Sequence, residues 1–257
     1  MKYIRYQFDN EVYVGILEED VIYRLDYPSI IAAINDENTI IDSYHDNIMD
    51  CLNEVKVLTP VDATKIVCVG LNYRDHADEL EMILPSEPLL FMKPSTSMVA
   101  SNEKIIYPED TSKLDFEAEL GIVILSETCR ENSNDLKMAY TIINDVTARD
   151  LQEKDGQWTR SKSFDTFCPV GPVVVTGINP SNQRIYSRVN GEIKQDSNTG
   201  NMIFAPEELV SYVSNIMTLK EGDLIATGTP PGIDHVERGD EIEIIIEEIG
   251  VLKNIVE

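Results

Sequence analysis

Positive charge is what this chain has least of. Lysine and arginine total 21 residues against 46 aspartates and glutamates, a formal charge of −25. A nucleic acid demands a basic footprint to neutralise its phosphates, and an anionic membrane surface demands the same. Neither class of partner fits. An anionic small molecule still does, because a bound metal or a few local cations can reverse the field inside a pocket. Cysteine is sparse as well. Cys51, Cys68, Cys129 and Cys168 are far apart with no C-x-x-C. They read as small buried thiols, not as a disulfide framework or a zinc site, and a cytoplasmic location is the default expectation. No apolar run approaches the ~18 residues of a membrane span, and Met1 to Tyr6 reads as a strand rather than a secretory leader. There is one tryptophan, Trp158, and no internal repeat or low-complexity tract.

What is present is ordinary for a soluble globular chain: 257 residues, 42% hydrophobic and 26% charged, enough for one large domain or a main domain with an appendage. Residues 2–25 read as antiparallel strands and 28–55 as short helices. A boundary near 58–62 divides a small N-terminal domain (1–58) from the remainder (59–257). From residue 60 onward the pattern holds many short strands, few helices and no regular β-α alternation. That predicts an α+β, mostly-β fold, with a rolled or barrel-like sheet and helices at its rim. Within it, 65–70 and 89–93 read as buried strands, 151–163 as a polar loop and Asn190-Gly191 as a hairpin turn. Pro206 opens a helix.

The chemistry gathers on Asp115 to Leu125. Asp115, Glu117 and Glu119 alternate with Phe116, Ala118, Leu120, Ile122 and Ile124, the period of a half-buried strand. Glu117 and Glu119 then project from one face, roughly 6.5–7 Å apart at Cα. Either that face is solvated, or a divalent cation with oxygen ligands (Mg²⁺, Mn²⁺ or Ca²⁺) neutralises it. Asp145 interrupts a β-branched run, where a lone carboxylate is costly, and is the natural third ligand. His76 and Glu79, at i and i+3 on a predicted helix over 72–82, share a helix face. They form either a general base with its orienting partner or an incidental surface pair. Lys93 closes an apolar run, as a snorkelling strand end or a pocket cation. The Gly/Pro loop from Gly228 to Gly232 offers N–H groups and the Thr229 hydroxyl to an anion. His45 and His235 read as incidental, and Asp115 as surface or an outer neighbour of the ligands.

Together these blocks resemble the fumarylacetoacetate hydrolase family. The matching stretches are Val69-Gly70-Leu71-Asn72-Tyr73 with Asp75-His76, Phe91-Met92-Lys93-Pro94-Ser95, Glu117-Ala118-Glu119-Leu120 and Asn144 to Asp150. Lys162-Ser163-Phe164, Val189-Asn190-Gly191, Thr199 to Phe204, and Gly222-Asp223 through Gly228-Thr229-Pro230 complete them. They cover nearly all of 65–240 in family order. The resemblance implies a mixed β-roll catalytic domain, a homodimer, and a Mg²⁺ or Mn²⁺ site from Glu117, Glu119 and Asp145. It also implies catalytic roles for Lys162 and for His76 and Glu79 on a lid helix. Arg74, Lys93, Thr199, Gly228 and Thr229 are the expected substrate contacts. The implied substrate is a small 2-oxo-carboxylate. The expected reaction is carbon–carbon hydrolysis of a 2,4-dioxo acid (an acylpyruvate or a fumarylpyruvate-like compound) through a metal-stabilised enolate. The alternatives are oxaloacetate decarboxylation, isomerisation of 2-hydroxyhepta-2,4-diene-1,7-dioate, and non-catalytic metabolite binding. Arg74, Leu84, Trp158 and Arg160 are left as unranked candidates for specificity.

Overall fold

A computed structural model describes residues 1–75, 84–130 and 136–257. Its centre is the strand Ala118–Ile124, every residue of which is buried. The alternation of the sequence predicts one wet face, but this strand lies inside the sheet and is covered on both sides. On one flank it pairs antiparallel with Met138–Asn144, Ala118 opposite Asn144 and Glu119 opposite Ile143. On the other it pairs antiparallel with Leu224–Ala226, which runs parallel to Ile66–Gly70. Leu89–Lys93 pairs with that strand and ends the sheet. It is therefore an edge, with Leu89 and Met92 exposed, and not the buried strand its composition suggests.

In the other direction Met138–Asn144 pairs with Cys168–Val175, and that strand pairs with Lys2–Phe8. The antiparallel strands Glu11–Glu18, Val21–Leu25 and Met49–Cys51 follow. Residues 1–58 thus extend the same sheet, and Arg5 is paired to Asp62 across the expected boundary at 2.8 Å. A second sheet holds the hairpin Arg184–Val189/Glu192–Asn198 together with Glu241–Ile246, Gly250–Val256 and Lys104–Ile105. Two apolar clusters fill the layers, one of them gathered around Phe116, Leu120 and Ile122. The fold is mostly β, with no closed barrel among the described residues.

Among the described residues the helices are short except Pro206–Ile216, which has Pro at its start and Glu208 Oε2 accepting the Ala205 N–H at 2.8 Å. The stretch 151–163 is not a loop: it holds the helices Arg149–Asp155 and Thr159–Lys162. Four- and seven-residue helices with polar outer faces leave no periodicity to read. No helix among the described residues is long and apolar enough to cross a membrane. Two of the four thiols depart from expectation, since Cys51 and Cys129 are exposed and only Cys68 and Cys168 are buried.

Asp223 ties the starts of two central strands together. Fully buried, it accepts from Thr64 N at 3.0 Å, Thr64 Oγ1 at 2.7 Å and Lys65 N at 3.1 Å. Lys220 N at 2.8 Å and the Lys65 ammonium complete the set. Burial pushes this carboxyl up, but the bonds from Lys65, Thr64 and Lys220 outweigh it and hold it below the usual aspartate value. Asp223→Asn is expected to cost about 2–4 kcal/mol in urea unfolding near neutral pH. Because the folded value is depressed, the carboxylate's contribution is complete above the unfolded pKa, about 4. It is lost as pH falls through the folded one, so variant and wild type should converge in acid.

Candidate active site

Strand register builds the site. Ala118 faces Asn144 across the ladder, so the residues just beyond, Glu117 and Asp145, meet where the two strands end. The Asp145 N–H donates to the Glu117 carbonyl at 3.0 Å, and Asn144 Oδ1 accepts the Glu117 N–H at 3.0 Å. One residue into the strand, Glu119 projects to the same place. Glu117, Glu119 and Asp145 each offer a carboxylate oxygen within 4.8 Å of the others, at 6%, 2% and 0% exposure.

Cations hold two of these acids. The Lys162 ammonium donates to Glu117 Oε2 at 2.9 Å and Asp145 Oδ2 at 2.6 Å. Arg149 donates to Glu117 Oε1 at 2.5 Å through Nη2 and to Asp115 Oδ2 at 2.7 Å through Nε. The Lys93 ammonium bonds Asp145 Oδ1 and the Val146 carbonyl. Burial alone would raise Glu117, but the charges of Lys162 and Arg149 bring it down to about 2. Burial disfavours the Lys162 ammonium, yet Asp145 and Glu117 more than restore it, and it stays charged.

Glu119 differs. No cation pairs with it among the described residues, and its Oε2 accepts only the Gly228 N–H, at 2.7 Å. Burial, then Asp145 and Glu117, push it well above the carboxylate range. The cluster is therefore under-neutralised at one residue, with hard oxygen donors and neither sulfur nor imidazole among them. That donor set fits a divalent cation of the Mg²⁺, Mn²⁺ or Ca²⁺ kind.

The turn that serves Glu119 is itself fixed. Gly228 has φ +96, and a Cβ there would lie 2.8 Å from the Asn72 Cβ, so only glycine brings this N–H to the carboxylate. Asn72 Nδ2 donates to the Thr227 carbonyl at 2.7 Å and to the Phe204 carbonyl at 3.1 Å. Gln195 accepts the Ala118 N–H at 3.0 Å and donates to Thr229 Oγ1 at 2.8 Å.

The acids open onto a cavity of about 260 Å³ whose lining includes Arg149, Gln152, Trp158, Lys162, Thr229 and Ile233. Of the other expected contacts, Gly228 acts through its N–H as above. Lys93 lies behind Asp145 and is absent from that lining. Arg74 is tied to the Met202 carbonyl at 2.6 Å. Thr199 sits outside the lining, its Oγ1 accepting the Gln183 N–H at 2.8 Å. Arg160 pairs with Asp155 on the surface. His76 and Glu79 fall outside the described residues. Asp115 is buried and not superficial, and His235, read as incidental, reaches it through Nδ1. Arg149, Asn144 and Gln195 were not singled out from the sequence. Arg149 and Asn144 stand inside a matching block, whereas Gln195 carries no signal in a polar hairpin strand.

Residues 65–257 match the fumarylacetoacetate (FAA) hydrolase C-terminal family. The chain belongs to the fumarylacetoacetate hydrolase family. Its relatives in that family are enzymes of more than one kind. The mitochondrial oxaloacetate tautomerase Fahd2a of Rattus norvegicus is 42% identical over 218 residues, 79% of this chain and 69% of that one. The 2-hydroxyhepta-2,4-diene-1,7-dioate isomerase from Mycobacterium marinum superposes with a TM-score of 0.86 at 35% identity, over 100% of this chain and 98% of its own. The fumarylacetoacetate hydrolase of Exiguobacterium antarcticum does so with a TM-score of 0.88 at 34% identity, over 100% and 99%.

Glu119→Gln puts a neutral amide where burial and the neighbouring acids favour the protonated carboxyl. The metal-free variant is expected to melt no lower than wild type, while its Mn²⁺ affinity, read by calorimetry, falls at least about 100-fold. Unchanged affinity would remove Glu119 from the ligand set.

Proposed function

We propose that this protein interconverts the keto and enol forms of a small 2-oxo dicarboxylic acid, with oxaloacetate the first candidate. The observation that carries the reading is Lys162, a buried ammonium at the cavity wall, held by Glu117 and Asp145. An ammonium has three donors, and two are committed, so one remains for substrate. A divalent ion held by Glu117, Glu119 and Asp145 would admit an anionic 2-oxo acid to this acidic site and polarise its 2-oxo oxygen.

When the proton on C3 leaves, its electron pair forms the C2–C3 double bond and negative charge grows on the 2-oxo oxygen. Lys162 is placed for that charge. Because it is already charged and fixed, it needs no reorganisation as the reaction proceeds. Its neighbours keep it protonated, which suits an electrostatic role and not that of a base. The acceptor of the C3 proton is assigned to His76, oriented by Glu79, on the strength of their spacing in the sequence. The enolate oxygen takes a proton from water to complete the enol, and the reverse steps return the keto form. Gln152 and Thr229, both on the cavity, supply neutral polar contacts for the acid's ends. The similarity to an oxaloacetate tautomerase over most of the chain supports this reading.

A second reading, hydrolysis of an acylpyruvate, shares the enolate and adds a water activated by His76. The sequence pair His76/Glu79 and the likeness to a fumarylacetoacetate hydrolase favour it.

The test is to follow the enol absorbance of oxaloacetate, pyruvate release and acylpyruvate cleavage in parallel, with Mg²⁺ or Mn²⁺ and with chelator. Metal-dependent loss of enol without pyruvate is the expected outcome; cleavage of acylpyruvates alone would establish the second reading. Lys162→Met should lower kcat by about 10²–10³, and His76→Ala by about 10²–10⁴.

A further inference from the structure

One wall of the cavity stands apart from the charges. Trp158 precedes Lys162 by one helical turn. Its carbonyl accepts the Lys162 backbone N–H at 3.1 Å and the Ser161 hydroxyl at 2.9 Å. The indole and the ammonium thus share one small rigid unit, about 5–6 Å of helix rise apart.

The indole is wedged in place. It meets Phe91 edge to face, with ring centroids 5.1 Å apart at 74°, and Phe91 also lies 4.9 Å from the Lys162 Nζ. Behind it is Gly70. A Cβ at Gly70 would stand 3.1 and 3.2 Å from two indole carbons and 3.3 Å from Leu89. A larger residue at position 70 would push the ring off its seat. The sequence places glycine there, at the end of a strand whose preceding four residues are buried. Gly70, Phe91, Trp158 and Lys162 all line the same cavity of about 260 Å³. One part of its lining is therefore charged, and another is a fixed aromatic wall a turn away.

We infer that Trp158 sets the length of acid this site accepts, admitting four-carbon 2-oxo acids and obstructing longer ones. The inference rests on the anchoring proposed above, with the 2-oxo carboxylate at the acid trio and Lys162. The remainder of the substrate must then fit in the volume that the indole bounds. An indole held by a T-shaped partner and a glycine seat does not swing away as a long aliphatic side chain would. Its obstruction is steric and grows with each added methylene. The family contains both a four-carbon tautomerase and a seven-carbon isomerase, so one anchor serves acids of different reach and a separate wall must choose among them.

The test reads binding, not turnover. Wild type, Trp158→Ala and Trp158→Phe, each with saturating Mn²⁺, are titrated calorimetrically with oxalate, which has no distal chain. The titrations continue with the series 2-oxoglutarate, 2-oxoadipate and 2-oxopimelate. Wild-type affinity should fall along the series. Trp158→Ala should gain roughly tenfold or more for 2-oxopimelate while oxalate stays within about threefold, since a methylene is worth about 10–200-fold in a fitted pocket. Trp158→Phe, which keeps an aromatic ring against Gly70, should fall between and serves if the alanine variant does not fold. Oxalate should also quench wild-type fluorescence, because Trp158 is the only tryptophan in the chain. A length profile identical in wild type and both variants overturns the inference. Failure of oxalate to bind wild type with Mn²⁺ overturns the anchoring on which the proposed function stands.

Discussion

Three carboxylates lie at the buried end of a β-sheet, closer together than their charges permit. The rest of the site can be read as the response to that repulsion. Lys162 divides itself between Glu117 and Asp145, Lys93 takes the second oxygen of Asp145, and Arg149 spans Asp115 and Glu117. Each cation is itself desolvated, and each acid lowers the cost of burying it. The balance leaves Glu119 without a countercharge among the described residues, served only by a backbone N–H. A fully neutralised cluster would be more stable and would have no reason to take up a divalent ion. The imbalance is what makes the site a candidate for chemistry.

Scaffold and site are two views of one register. The ladder that sets Ala118 opposite Asn144 also brings Glu117 to Asp145, and slipping it by one residue would turn Glu119 to the opposite face. Buried amides keep that alignment. Asn144 holds Glu117, Gln195 joins the start of the strand to the Thr229 loop, and Asn72 seats the Gly228 turn. Their hydrogen bonds are made where water cannot compete, so each is costly to lose.

Much of this was legible before any coordinates. The E-x-E spacing, the misplaced Asp145 and the ordered blocks pointed to the acid trio and the family, because strand period and the cost of a buried charge are local facts. What the sequence hides is partnership at a distance. Lys93 reads equally as a strand end or a pocket cation, because nothing near it announces Asp145, 52 positions away. Asp115 reads equally as surface or as an outer neighbour of the ligands, because Arg149 and His235, which settle the matter, are 34 and 120 positions off. The half-buried reading of 115–125 failed for the same reason. Alternation records which residues are polar, not whether their face is wet, and here polar residues face inward onto a cavity. The short helices of 149–162 are held by their surroundings and have no amphipathic stripe of their own.

The strand Leu224–Ala226 is short, but its place in the sheet has consequences for how the chain is made. It lies between Ala118–Ile124 and Ile66–Gly70, both of which leave the ribosome long before it. Until it arrives, the strands on either side have open edges facing one another. The Gly228 N–H that Glu119 needs does not yet exist. The sheet can therefore close only after most of the polypeptide has been synthesised, by insertion of a late segment into its middle. The pairing of Ala118–Ile124 with Met138–Asn144 can bring Glu117 to Asp145 earlier. The turn that serves Glu119 comes only with that late insertion, so the site is completed together with the middle of the sheet.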